Sequence, residues 1–363
     1  MSDLLARLLN IDHFDVILVL SVLIGFGLME TLSGYLVNSK RKKGDWTQEI
    51  LSFLILSTGI KPAIIFCVYL IGSTFFSEQQ YLFTQLSFGW ALLVYLLIDD
   101  LLQYWYHRSA HENPFLWKLH RAHHQAEEMG YFVSYRNAFL YYIIMPNIWW
   151  TGFVVFAGGA KAVAFGLVLK QFVIIGSHSR LRWDKPFYTF PFLRPIIKVL
   201  ERIIITPAFH HSHHGTSILD EASDPNGNFG NMFSFWDQLF GTATFQSSYP
   251  AHYGLQKKTD DPWTAAYFYP FVTSMDTKSE WHKDHQIKNT ATKKATTVML
   301  TKGENYLWCA CGRSSIQPFC DGSHHGTKMK PQKFTAKRTG EVRLCNCKKT
   351  NKSPFCDDSH LNL

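Results

Sequence analysis

Cysteine is scarce outside one short segment of the chain. Six of the seven cysteines lie between Cys309 and Cys356, and the seventh, Cys67, sits in an apolar stretch. No small-residue cleavage site follows the first apolar run, so we expect no cleavable signal peptide. The sequence also lacks an aromatic–basic motif for DNA or RNA. Its formal charge of +8 therefore does not indicate a nucleic-acid-binding protein.

The sequence is rich in apolar and aromatic residues. Hydrophobic residues make up 47% of the 363 residues and aromatic residues 15%, a composition that suits a membrane protein. The C-terminal third is polar, and from residue 297 onward it carries 11 Lys or Arg against 5 Asp or Glu, a net charge of +6. A basic segment beside a membrane indicates an anionic leaflet or an acidic redox partner.

Long apolar runs predict a multi-span helical bundle. The predicted spans are residues 11–37, 50–76 and 85–106, followed by a hairpin of residues 139–157 and 161–177. The basic cluster at residues 40–43 should stay in the cytoplasm, which places the histidines described next on the cytoplasmic face. Lys61, near the centre of the second span, either faces the bundle interior or marks a broken helix.

Histidines recur at helical spacing in three groups. Histidines three or four residues apart lie on one helix face, and neutral imidazole is a good ligand for iron, zinc or copper. Eight histidines are more than one metal ion can use, so we predict two metal ions. The groups are His107 and His111; His120, His123 and His124; and His210, His213 and His214.

The C-terminal block contains an internal repeat. Three cysteines and one histidine recur at a constant offset of 36 residues, which predicts two metal centres in a reducing compartment. Three thiolates and one imidazole suit a small iron–sulfur cluster or a zinc ion. The two sets are Cys309, Cys311, Cys320 and His324, and Cys345, Cys347, Cys356 and His360.

Residues 10–270 resemble the fatty acid hydroxylase/sterol desaturase superfamily of membrane-embedded di-iron oxygenases that act on lipids. The three histidine groups carry the resemblance, together with Asn228-Phe229-Gly230 and the segment from Trp236 to Thr242. The resemblance implies that His178 joins the ligand set. Some members have a further histidine four residues later, where this chain has Arg182.

The C-terminal repeat resembles the CDGSH iron–sulfur family, whose [2Fe–2S] cluster is held by three cysteines and one histidine. The first copy fits that pattern at every fixed position from Cys309 to His324. The second copy has Asp358 where the first has Gly322, and a turn that needs positive φ accepts Asp less readily than Gly. The resemblance implies two [2Fe–2S] clusters, of which the second is the less secure.

These observations predict a mostly α fold class: a multi-span membrane helical bundle with a cytoplasmic histidine cap, plus a small β-rich iron–sulfur domain. We expect a di-iron hydroxylase-like membrane domain at residues 1–275, a linker at 276–298 and a tandem CDGSH domain at 299–363. We expect Asp100, Tyr104 and Asn228 to lie behind the ligands, with Asp100 orienting an imidazole. His211 is either a ligand or one of these supporting residues.

The resemblance implies a di-iron oxygenase that hydroxylates or desaturates a lipid with O2. Electrons would come through the two fused [2Fe–2S] clusters from an unidentified reductase. In the alternative, the tail senses iron or redox state, or transfers clusters, and regulates without feeding catalysis. We expect an integral membrane protein of a bacterial inner membrane rather than the endoplasmic reticulum, with no nucleic-acid partner. Four tryptophans should anchor the membrane interface: Trp105, Trp117, Trp149 and Trp150.

Overall fold

The computed structural model describes residues 14–39, 41, 43–285 and 289–362. About half of the chain is helical, and a small strand-containing domain follows the helices. The helices are α1 (Phe14–Leu32), α2 (Lys43–Ile55), α3 (Lys61–Phe75), α4 (Phe88–Glu112), α5 (Pro114–His124), α6 (Phe139–Ile143), α7 (Pro146–Phe156), α8 (Ala160–His178), α9 (Lys185–Thr189), α10 (Arg194–Leu200), α11 (Pro207–His213), α12 (Phe235–Leu239) and α13 (Trp263–Phe268). The strands are β1 (Ala295–Leu300), β2 (Asn305–Trp308), β3 (Gln332–Thr335) and β4 (Gly340–Cys345).

Two helical stretches among the described residues are long and apolar enough to cross a membrane. They are Gly44–Phe75, which contains most of α2 and all of α3, and α8. There are three candidate spans if Ser77–Gln85 and α4 are taken together as one broken span; these two segments are bent by 113° relative to each other. These stretches match the predicted second and third spans and the second arm of the hairpin. The predicted multi-span bundle is confirmed, with two or three candidate spans.

The second span is continuous through Lys61. A π-helical turn at Leu56–Ile60 joins α2 to α3, and Lys61 begins α3. Lys61 lines a cavity inside the bundle, so the lysine faces the interior of the membrane domain. In the predicted basic cluster, Lys40 and Lys42 lie outside the described residues, and Arg41 pairs with Glu49 at 2.8 Å.

Helix α4 lies at the centre of the bundle and packs against α7 and α8, while α1 packs against α8 and α3 against α7. Close packing of α8 on α4 depends on Gly166, because a Cβ there would lie 2.5 Å from the ring of Tyr95. Near this contact, Lys170 of α8 forms a buried ion pair with Asp99 of α4. The Asn147 side-chain amide of α7 donates to Asp99 at 3.3 Å. A polar cluster therefore lies within the apolar bundle.

The C-terminal domain consists of two antiparallel strand pairs, β1 with β4 and β2 with β3. Strand β2 leads into Cys309, and β4 ends at Cys345, so each repeat presents its first ligand residue from a strand end. The segment predicted as a linker is more ordered than expected. Trp281 is buried and its indole donates to the Lys118 carbonyl at 2.7 Å, and β1 already begins at Ala295.

Candidate metal centres

The nine predicted histidines gather into two buried groups where the helices end. Within each group, one nitrogen per residue lies within 4.8 Å of the others. The structure thus separates the set into two sites, as two metal ions require. The first group is His107, His111, His120, His124 and His213, and the second is His123, His178, His210 and His214.

Helical spacing explains how the two motifs of three histidines are divided between the two groups. On α5 the outer pair, four residues apart, joins the first group, while His123 between them joins the second. In the segment that begins with α11 the pattern is reversed: His213 joins the first group and the outer pair the second. Residues i and i+4 share one direction, and residue i+3 is rotated away from it. Each of these two motifs therefore contributes to both sites, whereas His107 and His111, four residues apart on α4, both belong to the first group.

Hydrogen bonds fix the orientation of five of these imidazoles. In each, Nδ1 lies within hydrogen-bond distance of an oxygen, so Nδ1–H donates and Nε2 keeps its lone pair for a ligand. The Nδ1 atoms bond as follows: His107 to Phe229 O (2.8 Å), His120 to Asn137 Oδ1 (2.8 Å), His123 to Val133 O (3.0 Å), His178 to Ile174 O (2.7 Å) and His213 to Gly227 O (2.7 Å).

The Nε2 atoms of neighbouring imidazoles approach one another closely. Pairs in the two groups are 2.9 to 3.3 Å apart. Two facing lone pairs repel each other unless a cation lies between them. Nitrogens bound at ~2.1 Å and at right angles to one metal ion are ~3 Å apart, which matches these contacts. Both nitrogens of His111 are buried and lack a hydrogen-bond partner among the described residues. The residues therefore fit two metal ions.

The histidines outside the membrane spans are held neutral. Burial holds the pKa of His124 and of His214 well below the ordinary value, and the neighbouring imidazoles lower it further. A neutral imidazole is the form that binds metal, so the site is ready for a cation at neutral pH. Among the described residues, no carboxylate belongs to either group.

A loop between α11 and α12 supplies oxygens behind the ligands. Asp237 accepts hydrogen bonds from the Phe229 and Gly230 amides, both at 2.7 Å, and this holds the Phe229 carbonyl towards His107. Asn228 is part of the same loop, and its side-chain amide donates to the Phe209 carbonyl at 2.9 Å. Burial raises the pKa of Asp237 to about 6.

The predicted supporting residues Asp100 and Tyr104 hold this loop in place. Asp100 does not touch an imidazole; its carboxylate accepts the Met232 and Phe233 amides, both at 2.9 Å, and so anchors the loop. Tyr104 bonds the Thr242 hydroxyl of that loop at 2.9 Å. His211 belongs to neither group.

His211 is held apart from the ligands by its own hydrogen bond. Its Nδ1 lies 3.0 Å from the Tyr253 hydroxyl. Arg182, at the position of the additional family histidine, also bonds that hydroxyl, at 3.3 Å. The pair shares one hydroxyl outside the two metal groups.

A cavity extends from the histidines into the membrane domain. Five of the nine histidines form one wall. The remaining walls combine apolar side chains with polar ones drawn from several helices: Lys61, Asp99, Gln103, Tyr141, Asn147, Thr151 and Lys170. A molecule in this cavity would contact polar groups at a short distance from the metal ligands.

The C-terminal ligand residues also come together in two sets. In the first, the sulfurs of Cys309 and Cys311 are 3.8 Å apart and the Cys320 sulfur lies 3.3 Å from Nδ1 of His324. The Cys311 thiol donates to Cys309, which lowers the pKa of Cys309 to about 5. Burial lowers the pKa of His324 to about 4, so its imidazole is neutral.

The second set has the same arrangement as the first. The Cys345 and Cys347 sulfurs are 3.4 Å apart, and the Cys356 sulfur lies 3.4 Å from Nδ1 of His360. Asp358 adopts a φ of 63°, as Gly322 does with 87°. The second repeat therefore forms the same turn with a residue other than glycine. The carboxylate of Asp358 pairs with Arg343 at 2.5 Å.

The first cysteine set lies against the histidine groups, a contact that the sequence did not predict. The ring of His325 stacks on Trp117, with centroids 4.6 Å apart, and Trp117 lies 5.3 Å from the ring of His111. Trp117 is 1% exposed, so its prediction as an interface anchor was wrong. Nε2 of His324 also donates to the Asn226 side chain at 3.0 Å. The one hint in the sequence is the second histidine beside His324.

Both parts of the chain are similar to known protein families. Residues 92–242 match the family model described as fatty acid hydroxylase, and residues 278–325 match the model described as iron-binding zinc finger CDGSH type. Alkylglycerol monooxygenase of Danio rerio is 28% identical over 201 residues, which is 51% of this chain and 38% of that protein. The human mitochondrial CDGSH iron-sulfur domain-containing protein 3 is 50% identical over 54 residues, 14% of this chain and 42% of that protein.

One solved structure also matches. The crystal structure of human mitochondrial inner NEET protein (MiNT)/CISD3 is 43% identical and covers 21% of this chain and 86% of its own, with a TM-score of 0.20. The chain spans less than half of the length of the two curated relatives. The chain therefore carries a segment similar to the fatty acid hydroxylase family, followed by a segment similar to the CDGSH family.

Proposed function

We propose that this protein is a membrane-bound oxygenase that inserts oxygen into a C–H bond of a lipid. The observation that carries the proposal is the pair of buried all-histidine groups that open onto a cavity within the membrane domain. When bound there, two ferrous ions supply the binding and reduction of O2. The nine histidines hold the metal ions, and the surrounding helices exclude water from the reacting carbon.

The polar walls of the cavity support a substrate class. Asn147 and the paired Asp99 and Lys170 line the same cavity as the histidines. The side-chain oxygen of Asn147 is buried and has no hydrogen-bond partner among the described residues; a lipid hydroxyl can donate to it, whereas a plain alkyl chain cannot. We therefore propose a lipid whose reacting carbon lies close to such an oxygen. The match to an alkylglycerol monooxygenase agrees with this class.

The substrate proposal is tested by product analysis. Iron-loaded protein in detergent is reduced, mixed with O2 and given either an alkylglycerol or a fatty acid of equal chain length. We expect O2 consumption and a product heavier by one oxygen, with the alkylglycerol preferred. A product lighter by two hydrogens would show desaturation instead. If the protein holds two histidine-bound irons per chain and still forms no product from either lipid, the proposal of an oxygenase is contradicted.

We propose further that two [2Fe–2S] clusters in the C-terminal domain deliver the electrons. The contact between His324 and Asn226 supports this role, because it joins the first cysteine set to the loop behind the histidines. Cys309→Ala and Cys345→Ala should each abolish turnover driven by a reductase and leave histidine-bound iron unchanged. Full turnover in both variants would favour a regulatory tail.

We propose that both metal-bearing parts face the cytoplasm of a bacterial cell. The basic cluster after the first apolar segment supports this orientation. The cysteines also require a reducing compartment to remain thiols until they bind iron. A cysteine-labelling experiment on intact and opened spheroplasts tests the orientation.

A further inference from the structure

The first cysteine set lies directly on the hydroxylase domain. Besides the His324 contact, Nζ of Lys330 donates to the Asn226 carbonyl at 2.7 Å. The Gly326 amide donates to the His111 carbonyl at 2.9 Å. At Gly326 a Cβ would lie 3.0 Å from the Cα of Pro114, so the two backbones approach as closely as glycine allows. Residues 324–330 thus dock onto the first histidine group.

A short path of bonds joins a cysteine-set ligand to a histidine-group ligand. Nε2 of His324 donates to the side chain of Asn226, and the next carbonyl along the chain, that of Gly227, accepts from Nδ1 of His213 at 2.7 Å. The path therefore consists of two hydrogen bonds and the backbone between two adjacent residues. At each end the other imidazole nitrogen faces the ligand groups: Nδ1 of His324 lies beside Cys320, and Nε2 of His213 beside His107.

The second cysteine set is placed on the far side of the first. The Trp308 indole, next to Cys309, donates to the Cys345 carbonyl at 2.7 Å. Gln317 donates to the Cys309 sulfur at 3.3 Å and accepts from Lys348 at 2.8 Å. Within the described ranges, the hydrogen bonds of residues 343–362 reach no residue before Thr292. The second set touches the first and not the histidines.

We propose that electrons reach the histidine site from the first cluster through His324, Asn226, Gly227 and His213, and that they enter the C-terminal domain at the second cluster. This order rests on the proposed function. Each turnover breaks one C–H bond and the O–O bond, forms one C–O bond and releases water: RH + O2 + 2 electrons + 2 protons give ROH + H2O. A reduced flavoprotein supplies the two electrons, which pass along the path one at a time.

Asn226 is the position that tests the route. Its side chain bonds His324, and none of its hydrogen bonds among the described residues reaches one of the nine histidines of the two metal groups. In the full chain loaded with iron and clusters, both clusters are reduced without oxygen and then mixed with O2 and alkylglycerol. Stopped-flow absorbance follows their reoxidation. We expect Asn226→Ala to slow reoxidation about tenfold or more, with iron and cluster content unchanged.

Lys330→Met is the matched control. It removes a hydrogen bond across the same interface to the same residue, but this bond is not on the path. Reoxidation in this variant should remain within about twofold of the wild type, since an exposed contact contributes little. Equal slowing by both variants would show that docking, rather than the path, limits the rate, and would overturn the assignment.

A redox titration gives a readout that does not depend on turnover. In Asn226→Asp the carboxylate accepts the His324 N–H more strongly, which makes the imidazole a better donor and favours the oxidised cluster. We expect the midpoint potential of one cluster to fall and that of the other to stay constant. Unchanged potentials, or equal shifts in both, overturn the proposed contact. Wild-type protein that makes no oxygenated lipid after chemical reduction would instead refute the proposed function and leave the potentials interpretable.

Discussion

At the scale of single residues, a hydrogen bond behind five of the nine imidazoles decides which nitrogen faces the metal site. For His107 and His213 the partners are the carbonyls of Phe229 and Gly227, which belong to one loop. That loop is held by Asp237 from one side and by Asp100 from the other. The two carboxylates therefore act on the ligands through backbone carbonyls.

His111 and His211 provide a matched test of which histidines bind metal. Both are buried, but only His111 lies in a metal group, with neither nitrogen bonded to a described residue. His111→Ala should lower metal affinity of the first group about 10- to 100-fold, because a ligand is lost. His211→Ala should retain all the iron. Elemental analysis after gel filtration measures the difference, and equal iron in the two variants would contradict the assignment.

Asp237 should make stability depend on pH. Burial raises its folded-state pKa from 3.8 to about 6, so the stabilisation it provides is complete below its unfolded pKa and is lost as the pH rises towards 6. This rise in the pKa of Asp237 corresponds to a loss of about 3 kcal/mol of unfolding free energy between low and neutral pH. Asp237→Asn cannot titrate. The difference in unfolding free energy between wild type and variant should therefore shrink from pH 4 to pH 7, as measured by thermal unfolding in detergent; a difference that grows would refute this.

The sequence predicted the ligands better than the residues that support them. Spacing of three and four residues marks His120, His123 and His124 because helix geometry alone brings them together. The partners of Asp100 lie more than 130 residues away, on a loop without regular secondary structure. No periodic pattern records such a contact, so the sequence could not show that Asp100 acts on an imidazole through this loop.

At the scale of elements, α4 and α8 are joined by a charge pair inside the bundle. Lys170 and Asp99 are 5% and 2% exposed, and the pair lines the cavity beside the metal groups. A charge in this position is costly unless it is paired, which suggests a functional role. The partner of Asp99 on α8 could not be identified from the sequence, because no residue spacing relates two positions on different helices.

Removal of one partner should destabilise the bundle more than removal of both. Lys170→Met leaves a buried unpaired carboxylate and should cost about 3–5 kcal/mol of unfolding free energy. The double variant Lys170→Met, Asp99→Asn removes both charges and should recover most of that loss. Thermal unfolding in detergent measures both. If the double variant is as unstable as the single one, the ion pair is not the reason for the loss.

At the scale of the whole molecule, the two domains are in direct contact. Residues of the predicted linker pack on the helical domain through Trp281, whose ring also lies 4.6 Å from the guanidinium of Arg121. The composition of this segment indicates a flexible chain, yet a single buried tryptophan fixes it. The sequence predicted two kinds of metal centre but not their adjacency, since the contact of His324 with Asn226 joins positions 98 residues apart.

Metal loading should stabilise the membrane domain as a unit. Without a cation, the facing Nε2 atoms, 2.9 Å apart between His178 and His210, repel each other, and a metal ion that binds only the folded chain removes that repulsion. Ferrous iron at about 100 times its dissociation constant should add about 2.7 kcal/mol of unfolding free energy for each site. Thermal unfolding under anaerobic conditions, with and without iron, measures this gain. His111→Ala, whose first site should bind about 10- to 100-fold more weakly, should show about 60–75% of the total gain. Neutral imidazoles at these distances are the arrangement expected of metal ligands. A melting temperature that does not respond to iron would therefore contradict the assignment of the histidines as iron ligands.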